Sequence, residues 1–508
     1  MSPRRQGAFA GVLSLAVSMA FASLVAAVIK VDGPIIAVGN RFIDSTPKWL
    51  KIFAIDTFGT NDKPVLLAGI AIVLIIAAAA LGVVARRRFS AAILGTIALA
   101  VIGALAATTR TGSKAGDWVP PVLGALAGLG AFWVLLRRPV VGGPAESPAA
   151  FDRRRFLSGA GALAVTSVGL SLVSSGVNRS RNKTVAARRT TATQTLPTPK
   201  SPAPAIAETA TVKEGIEPFL TPMADFYRID TALSIPQIDA STWKLTVKGM
   251  VDKPLTLTYA DLLARPMIER VITISCVSNE VGGDLIGTAR WLGVPLADVL
   301  KEVGVHPDAT QLASKSEDGW TCGFPTKLAL DGRDALIAVA MNGDPLSAKH
   351  GFPARLIVPG IYGYVSATKW LTEINMTTLE AFDGYWIPRG WSKDAPVKTQ
   401  SRIDVPKRGQ PVKAGKVAVA GVAWAMHRGI KMVEVQIDDG PWMPTKLADE
   451  PSVDAWRQWL YEWDATPGRH RITVRATDAT GATQTSELAR PDPDGATGWH
   501  NISLNVSA

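Results

Sequence analysis

The residue best suited to metal or redox chemistry in this sequence is Cys276. It ends the apolar run ITISC and is followed by VSNEVGGDL, so its thiol comes at the end of a predicted strand, beside a glycine-containing loop. A side chain in that position can project into a cleft, and a thiolate is a ligand for soft metals. On spacing alone, a small, buried hydrophobic residue is the favoured interpretation. The other cysteine, Cys322 in GWTCG, is predicted to be structural.

A second group of residues is suited to binding an anion. His350, Arg355 and Lys369 lie in one short stretch, in which glycines recur in HGFPAR and PGIYGY. An arginine fork matches the oxygens of a phosphate, and glycines allow backbone N–H groups to approach an anion. The stretch therefore predicts a site for an anion with several oxygens. A basic loop on a solvated surface is the alternative.

Short strands and some helix must position these residues. In the region 213–400, apolar runs predict strands at 243–251, 270–276, 335–341, 354–359 and 369–375, with helices at 257–264 and 296–303. This mixture predicts an α+β domain. From 405 to 508 the pattern becomes all-β, with strands predicted at 416–425, 431–437, 457–464, 471–476 and 500–506. Short strands at regular spacing predict an immunoglobulin-like sandwich.

The chain from 213 to 508 resembles the sulfite-oxidase family of molybdopterin-dependent oxidoreductases. Several motifs carry the resemblance in order: FYRID at 226–230, ITISCVSN at 272–279, the block from His350 to Trp370, and the terminal run GWHNISLNV. The resemblance implies a molybdenum–molybdopterin cofactor and a small-molecule substrate. It also implies that the C-terminal sandwich is similar to the family's dimerisation domain, so a homodimer through this domain is expected.

The resemblance assigns roles to individual residues. Cys276 corresponds to the family's single protein thiolate on molybdenum, and Arg228 and Arg428 to its catalytic arginines. The pterin phosphate is implied to be held by His350, Arg355 and Lys369. The other implied cofactor-binding residues are Tyr227, Arg228, Asn279 and Tyr362.

The sequence departs from the family at charged positions. Glu280 and Val281 stand where sulfite oxidases have two arginines, and Val339 stands where they have a tyrosine. The Asn-His pair that follows the family's first arginine is Ile229–Asp230 here. Fewer cations and an added carboxylate weaken binding of a dianion such as sulfite. The chain also has no Cys-x-x-Cys-His haem motif, so a separate electron-transfer partner is expected.

The first 178 residues are predicted to form a membrane region. Of the 508 residues 47% are hydrophobic and 19% are charged. Five uncharged stretches, each close to the length of about 20 residues that crosses a bilayer as a helix, lie at 6–29, 64–85, 89–109, 118–136 and 156–178. The net charge of +11 is attributed to orientation of these helices, and no nucleic-acid partner is expected. Residues 179–212, rich in Arg, Thr, Ala, Pro and Ser, predict a flexible linker.

Basic residues predict the orientation of the membrane region. They cluster at Arg4–Arg5, at 86–88, at Arg137–Arg138 and at 153–155, which fall on one side if all five stretches cross. That side is expected to be cytoplasmic, which places everything after 178 outside the cytoplasm. Arg153, Arg154 and Arg155 precede Phe156–Leu157 and a mild small-residue helix, so they resemble a twin-arginine export signal. Plain positive-inside flanking is the alternative.

The sequence thus predicts a multi-pass protein of the cell membrane, with an extracytoplasmic molybdopterin oxidoreductase that performs two-electron or oxygen-atom transfer. Two alternatives stay open. One is a sulfite dehydrogenase proper, and the other is a non-catalytic, membrane-tethered binding protein on the same scaffold.

Overall fold

The computed structural model describes residues 2–136, 153–192, 196–212 and 215–508. The chain divides into two compact units. Unit 1 contains residues 1–187 and 231–235, and unit 2 contains residues 188–230 and 236–508. Arg137 and Arg138, which enter the predicted topology, lie outside the described residues.

The long regular elements in the described part of unit 1 are all helices. Its helices are α1 Pro3–Ile29, α2 Pro34–Ser45, α3 Lys48–Phe58, α4 Asp62–Ala85, α5 Phe89–Thr109, α6 Val119–Leu136 and α7 Arg153–Ala192. Among the described residues five helices, α1 and α4 to α7, are long and apolar enough to cross a membrane. These five coincide with the five predicted stretches.

Helix α1 packs closely against α4. A Cβ at Gly11 would collide with the carbonyl group of Ala78, and one at Gly82 would collide with the backbone of Gly7 and Gly11. Small residues permit this close approach of two helix backbones, which is the usual basis of helix association in membranes.

Helix α7 continues well beyond residue 178, where the sequence predicted a flexible linker to begin. It continues to Ala192, because no glycine or proline interrupts the run RSRNKTVAARRTTA. The described residues from 196 to 212 are also hydrogen-bonded to their surroundings. The amide of Lys200 donates to the Met267 carbonyl over 2.7 Å, and the amide of Glu269 donates to the Ser201 carbonyl over 2.9 Å. The described residues from 196 to 212 therefore differ from the predicted flexible linker.

Unit 2 begins with a mixed α+β domain, as predicted. Its helices are α8 Tyr259–Leu263, α9 Leu296–Val303, α10 Lys327–Leu330 and α11 Gly363–Ser366. Its strands are β1 Lys244–Gly249, β2 Leu255–Thr258, β3 Ile268–Ser275, β4 Ile286–Pro295, β5 Gln311–Ser316, β6 Thr321–Pro325, β7 Leu336–Met341, β8 Asp344–Pro345, β9 Arg355–Ile357 and β10 Leu371–Thr377.

These strands form two sheets around one apolar core. The first has the order β2-β1-β10-β5-β6, in which β1 and β10 run parallel. The second has the order β3-β4-β7-β8, and β9 pairs with β7. Strand β7, LIAVAM, is buried at every residue, because it lies in the middle of its sheet and both of its faces are covered.

The C-terminal part of unit 2 is all-β. Its strands are β11 Gln400–Val405, β12 Val412–Lys413, β13 Gly415–Trp424, β14 Ile430–Ile437, β15 Trp442–Pro444, β16 Lys446–Leu447, β17 Arg457–Ala465, β18 Gly468–Asp478 and β19 His500–Ser507. They form two sheets, of order β11-β13-β17-β16 and β12-β19-β18-β14-β15. Strand β11 pairs with β13, so this domain starts at Gln400 rather than at 405. Trp424 and Trp456 belong to the core of the α+β domain, which joins the two domains into one unit.

Candidate functional site

Cys276 follows strand β3 directly, as the sequence predicted. The chain leaves the sheet here with its amide bonded to the Leu285 carbonyl over 2.9 Å, and 8% of the residue is exposed. Burial raises the pKa of the Cys276 thiol, against smaller opposing effects from hydrogen bonds of Ser278 and the charge of Lys369. A bound metal cation favours the thiolate strongly enough to overcome such a shift.

Asn279 lies in the loop that follows the cysteine. Its amide N–H donates to the Cys276 carbonyl over 3.1 Å, and its Oδ1 accepts from the Leu285 amide over 2.8 Å. Its Nδ2 is buried and has no hydrogen-bond partner in the described part of the chain. A buried donor without a partner costs free energy unless a ligand accepts from it.

His350 is buried next to Met223 and Phe226. Its Nε2 lies 2.9 Å from the Met223 carbonyl, and its ring meets Phe226 edge to face at 5.9 Å. Burial and the charge of Arg355 lower the pKa of His350 to about 4. The neutral ring must donate through Nε2, because a carbonyl only accepts, and this leaves Nδ1 as an acceptor.

Arg355 opens strand β9 and is 5% exposed. Its Nη1 donates to the His350 carbonyl over 3.2 Å, and its guanidinium lies 5.2 Å from the centre of the Trp291 ring. Its Nε is buried without a hydrogen-bond partner, and no carboxylate of the described residues forms an ion pair with it. Burial lowers the pKa of Arg355 to about 10, so it stays charged at neutral pH. A buried cation in this state is suited to an anionic ligand.

Lys369 is the third residue that the sequence predicted to hold the anion. Gly351 has a φ of +106°, and a Cβ there would lie 3.0 Å from the Cβ of Lys369, so glycine lets the His350 turn approach the lysine. Nζ of Lys369 donates to Oδ2 of Asp230 over 2.6 Å. Burial lowers the pKa of Lys369 to about 8, although the Asp230 carboxylate opposes that shift. We call His350, Arg355 and Lys369 the anion cradle.

The two predicted tyrosines also lie at the cluster. Tyr227 stacks on Phe226 at 5.3 Å. Burial raises its pKa, with a further rise from Cys276 and a lowering from Arg355. Burial raises the pKa of Tyr362 to about 12, with smaller effects of Cys276 and Arg428. Both hydroxyls are therefore neutral donors at physiological pH.

The two predicted catalytic arginines are both held by carboxylates. Arg228 donates to Asp230 from Nε over 2.7 Å and from Nη2 over 3.0 Å. Arg428 donates from Nε to Asp478 over 3.0 Å and from Nη2 to the Val397 carbonyl over 3.0 Å. Each arginine therefore has a carboxylate beside its charge in this structure.

The remaining departures from the family pattern are divided between surface and core. Glu280 is exposed, and Val339 is fully buried in strand β7. Val281 lines a cleft of about 710 Å³ that Arg402, His500 and Trp499 of the β-domain also line.

Sequence reasoning missed the role of Asp230, which it treated only as a departure. The signal was present in the run RID, because residues i and i+2 of an extended segment point to the same side. An arginine and an aspartate at that spacing are placed to form an ion pair.

Residues 232–386 match the family described as "Oxidoreductase molybdopterin binding domain". The chain is 28% identical to human mitochondrial sulfite oxidase over 305 residues, which cover 51% of this chain and 55% of that protein. It is 36% identical over 153 residues to the oxidoreductase YuiH of Bacillus subtilis, covering 30% of this chain and 74% of that protein. The chain thus spans little more than half the length of the mitochondrial sulfite oxidases.

The fold agrees with a solved structure. The crystal structure of the sulfane dehydrogenase SoxCD from Paracoccus pantotrophus superposes with a TM-score of 0.51 and 23% identity, over 59% of this chain and 85% of that one. At this identity the likeness concerns the fold alone.

These matches imply a molybdenum–molybdopterin cofactor, and the cluster fits it. Cys276 offers a thiolate. Among the described residues, the buried donor of Asn279 has no partner and the buried charge of Arg355 has no carboxylate. Together they suit a metal joined to an anionic group that has several oxygens.

Proposed function

Because the chain belongs to the sulfite-oxidase family of molybdopterin-dependent oxidoreductases, we propose that it is a membrane-anchored enzyme whose molybdenum is bound by Cys276. The reaction class is two-electron or oxygen-atom transfer on a small molecule. One observation carries the proposal: a buried arginine, which no carboxylate of the described residues pairs with, lies among the residues around a buried cysteine at a strand end.

The bound cofactor supplies the redox chemistry, and this chain's residues bind and orient it. Cys276 provides the thiolate to the metal, while Arg355 and Lys369 bind the phosphate through charge-assisted hydrogen bonds. An anion beside His350 favours protonation of its ring, so that Nδ1 changes from acceptor to donor. Asn279 donates through Nδ2, and the neutral hydroxyls of Tyr227 and Tyr362 line the same pocket.

Substrate binding is assigned to Arg228 and Arg428, and their pairing makes sulfite the weaker candidate. Each arginine donates to a carboxylate, Asp230 or Asp478, so the site has less net positive charge than two unpaired arginines would give. A dianion gains most from unpaired cations. We therefore favour a neutral or singly charged substrate, with sulfite dehydrogenase as the second candidate because the sulfite oxidases are among the curated relatives.

Two assays separate the candidate functions. Full-length protein in detergent should contain one molybdenum and one pterin per chain, whereas a non-catalytic binding protein should contain neither. A steady-state assay with sulfite and an artificial electron acceptor then distinguishes the enzymes. Rapid turnover at saturating sulfite concentration would favour sulfite dehydrogenase, and weak turnover would favour another substrate.

The surroundings of the enzyme are part of the proposal. The five long apolar helices of unit 1 anchor it in the cell membrane, and the positive-inside rule puts unit 2 outside the cytoplasm. A separate partner carries the electrons. The two-sheet C-terminal domain is proposed to be immunoglobulin-like and to mediate a homodimer.

Export of unit 2 is proposed to depend on Arg153 and Arg154. Replacing both by lysine keeps the positive charge and thus the insertion of the first four spans, but removes the twin-arginine signal. Protease should then digest unit 2 in spheroplasts of the wild type and leave it intact in the Lys–Lys variant. Equal digestion of both would leave the arginines as topological flanks only.

A further inference from the structure

Asp230 connects two of the cations assigned to the cofactor and substrate. Its carboxylate accepts from Lys369 Nζ over 2.6 Å, and from Nε and Nη2 of Arg228 over 2.7 and 3.0 Å. By the sequence resemblance, sulfite oxidases have a histidine rather than a carboxylate at the position of Asp230. The ion pairs of Asp230 are therefore a feature in which this chain departs from them.

The Asp230–Lys369 pair is buried. Six percent of the Asp230 side chain and ten percent of the Lys369 side chain are exposed. Burial of a lysine without a counter-charge is strongly unfavourable, so the carboxylate stabilises the chain before any cofactor is bound. Arg355 differs, because no carboxylate of the described residues pairs with it.

An incoming phosphate must therefore meet Lys369, which is paired with Asp230, and Arg355, which no carboxylate of the described residues pairs with. The Lys369 ammonium has three protons and can contact two anions, but two anions on one ammonium repel each other. We propose that Asp230 is a resident counter-ion of the anion cradle, which competes with the phosphate group of the cofactor for Lys369. This inference rests on the proposed function.

Asp318 provides a matched comparison. It is close enough to Lys369 and Asp230 for each to affect its pKa. Its Oδ1 accepts from the Ser316 hydroxyl and from the Trp320 amide, and no ion pair joins it to Lys369 among the described residues. Removing its charge changes the field at the cradle but removes no carboxylate from the lysine.

The test measures binding of inorganic phosphate to the cofactor-free full chain, purified in detergent from a host that does not make molybdopterin. Isothermal titration calorimetry compares the wild type with Asp230→Asn and Asp318→Asn at a pH well below 8, because Asp230 raises the pKa of Lys369 and the lysine must keep its proton in every variant. Removing a competing charge in direct contact should tighten phosphate binding by about tenfold or more. Asp318→Asn should tighten it by less than about threefold, because it acts only at a distance.

Three further variants complete the design. Asp230→Ser replaces Asp230→Asn if the latter does not purify folded, since it also removes the charge. Asp230→Glu retains the charge and should keep the wild-type affinity within about twofold. Arg355→Ala should lose phosphate binding.

The outcomes separate this inference from the proposed function. If Arg355→Ala loses phosphate binding but the neutral Asp230 variants bind it no more tightly than wild type, Asp230 only positions Lys369 and the inference fails, while the cradle stands. If Arg355→Ala binds phosphate as well as the wild type does, the cradle is wrong and the proposed function fails with it.

Discussion

Each unit contains a buried arginine, and the two differ in what surrounds them. In unit 1, Nη2 of Arg110 lies 2.9 Å from Asp117 and 3.2 Å from Asp32, so two carboxylates meet its charge. In unit 2, Arg355 contacts a carbonyl group and an indole ring, and no carboxylate of the described residues. Both side chains are almost inaccessible to solvent.

The difference separates a structural charge from a binding charge. Arg110 follows α5, Asp117 precedes α6 and Asp32 follows α1. Their ion pairs therefore connect the ends of three helices of unit 1. A neutralised cluster of this kind needs no ligand. Burial of the Arg355 charge without a counter-charge costs desolvation free energy, and an anionic ligand would offset that cost. Burial alone therefore does not identify a functional charge, and our proposal for Arg355 rests on burial without a counter-charge among the described residues.

The largest effect on stability is expected for Arg110→Ala. Removing one partner of a buried ion pair leaves the others uncompensated and costs about 3–5 kcal/mol. Thermal unfolding in detergent should shift to clearly lower temperature, while molybdenum per folded chain stays unchanged. Arg87→Ala, which removes the same charge from an exposed turn, is the control and should unfold as the wild type does. Loss of molybdenum from folded Arg110→Ala would make Arg110 more than structural.

Arg355→Ala should show the reverse pattern. It removes charge-assisted contacts worth about 1.5–3 kcal/mol each, so the pterin content should fall, with little loss of activity per bound cofactor. The measurement is pterin content against turnover. Arg475→Ala is the control, because Arg475 also lies over a tryptophan ring but pairs with Glu434 over 2.8 Å. Equal pterin content in both variants would remove the distinction between the two kinds of arginine.

The third prediction concerns pH. The pKa of Lys369 is lowered to about 8, so the lysine is charged below that pH and loses its proton above it. Affinity of the cofactor-free chain for sulfate, whose own charge is constant in this range, should fall as pH rises through about 8. Lys369→Arg keeps its charge and should flatten the curve. An equally steep fall in Lys369→Arg would assign the titration to another group.

The smallest effect is expected for Glu280→Arg. Because Glu280 is exposed, the reversed charge acts through solvent and should change the free energy of sulfite binding by less than about 1 kcal/mol. The KM for sulfite should fall a few-fold, measured in the steady state. Sulfite turnover that is good in the wild type and lost in this variant would contradict the interpretation of the departure.

Much of the fold was predictable because its signals are local. The five apolar stretches became α1 and α4 to α7, and helix 296–303 appears as Leu296–Val303. Strands β4, β5 and β6 were missed, since IGTARWLGVP and QLASKS mix polar, small and glycine residues and owe their strand form to pairing with neighbours. The α7 extension was missed because a composition typical of linkers hid the lack of any helix breaker.

That the proposed site residues lie near one another was predictable, but their ion pairs were not. Motif order proposed Cys276, His350, Arg355 and Lys369, and the structure brings them close enough to affect one another's pKa. Nothing in the order of residues indicated that Lys369 and Arg228 share Asp230, or that Arg428 is held by Asp478, because these pairs depend on how distant segments meet.

The central claim is that Cys276 binds the metal, and X-ray absorption at molybdenum tests it most directly. Ser is nearly isosteric with Cys, but its neutral hydroxyl is a poor replacement for a thiolate. Cys276→Ser should lose most of its molybdenum, and the metal that remains should have one sulfur ligand fewer than in the wild type. Cys322→Ser is the matched control. The Cys322 thiol is buried between Ser314 and Thr368. In Cys322→Ser the number of sulfur ligands at molybdenum should therefore not change. Full molybdenum content with an unchanged sulfur count in Cys276→Ser would contradict the account.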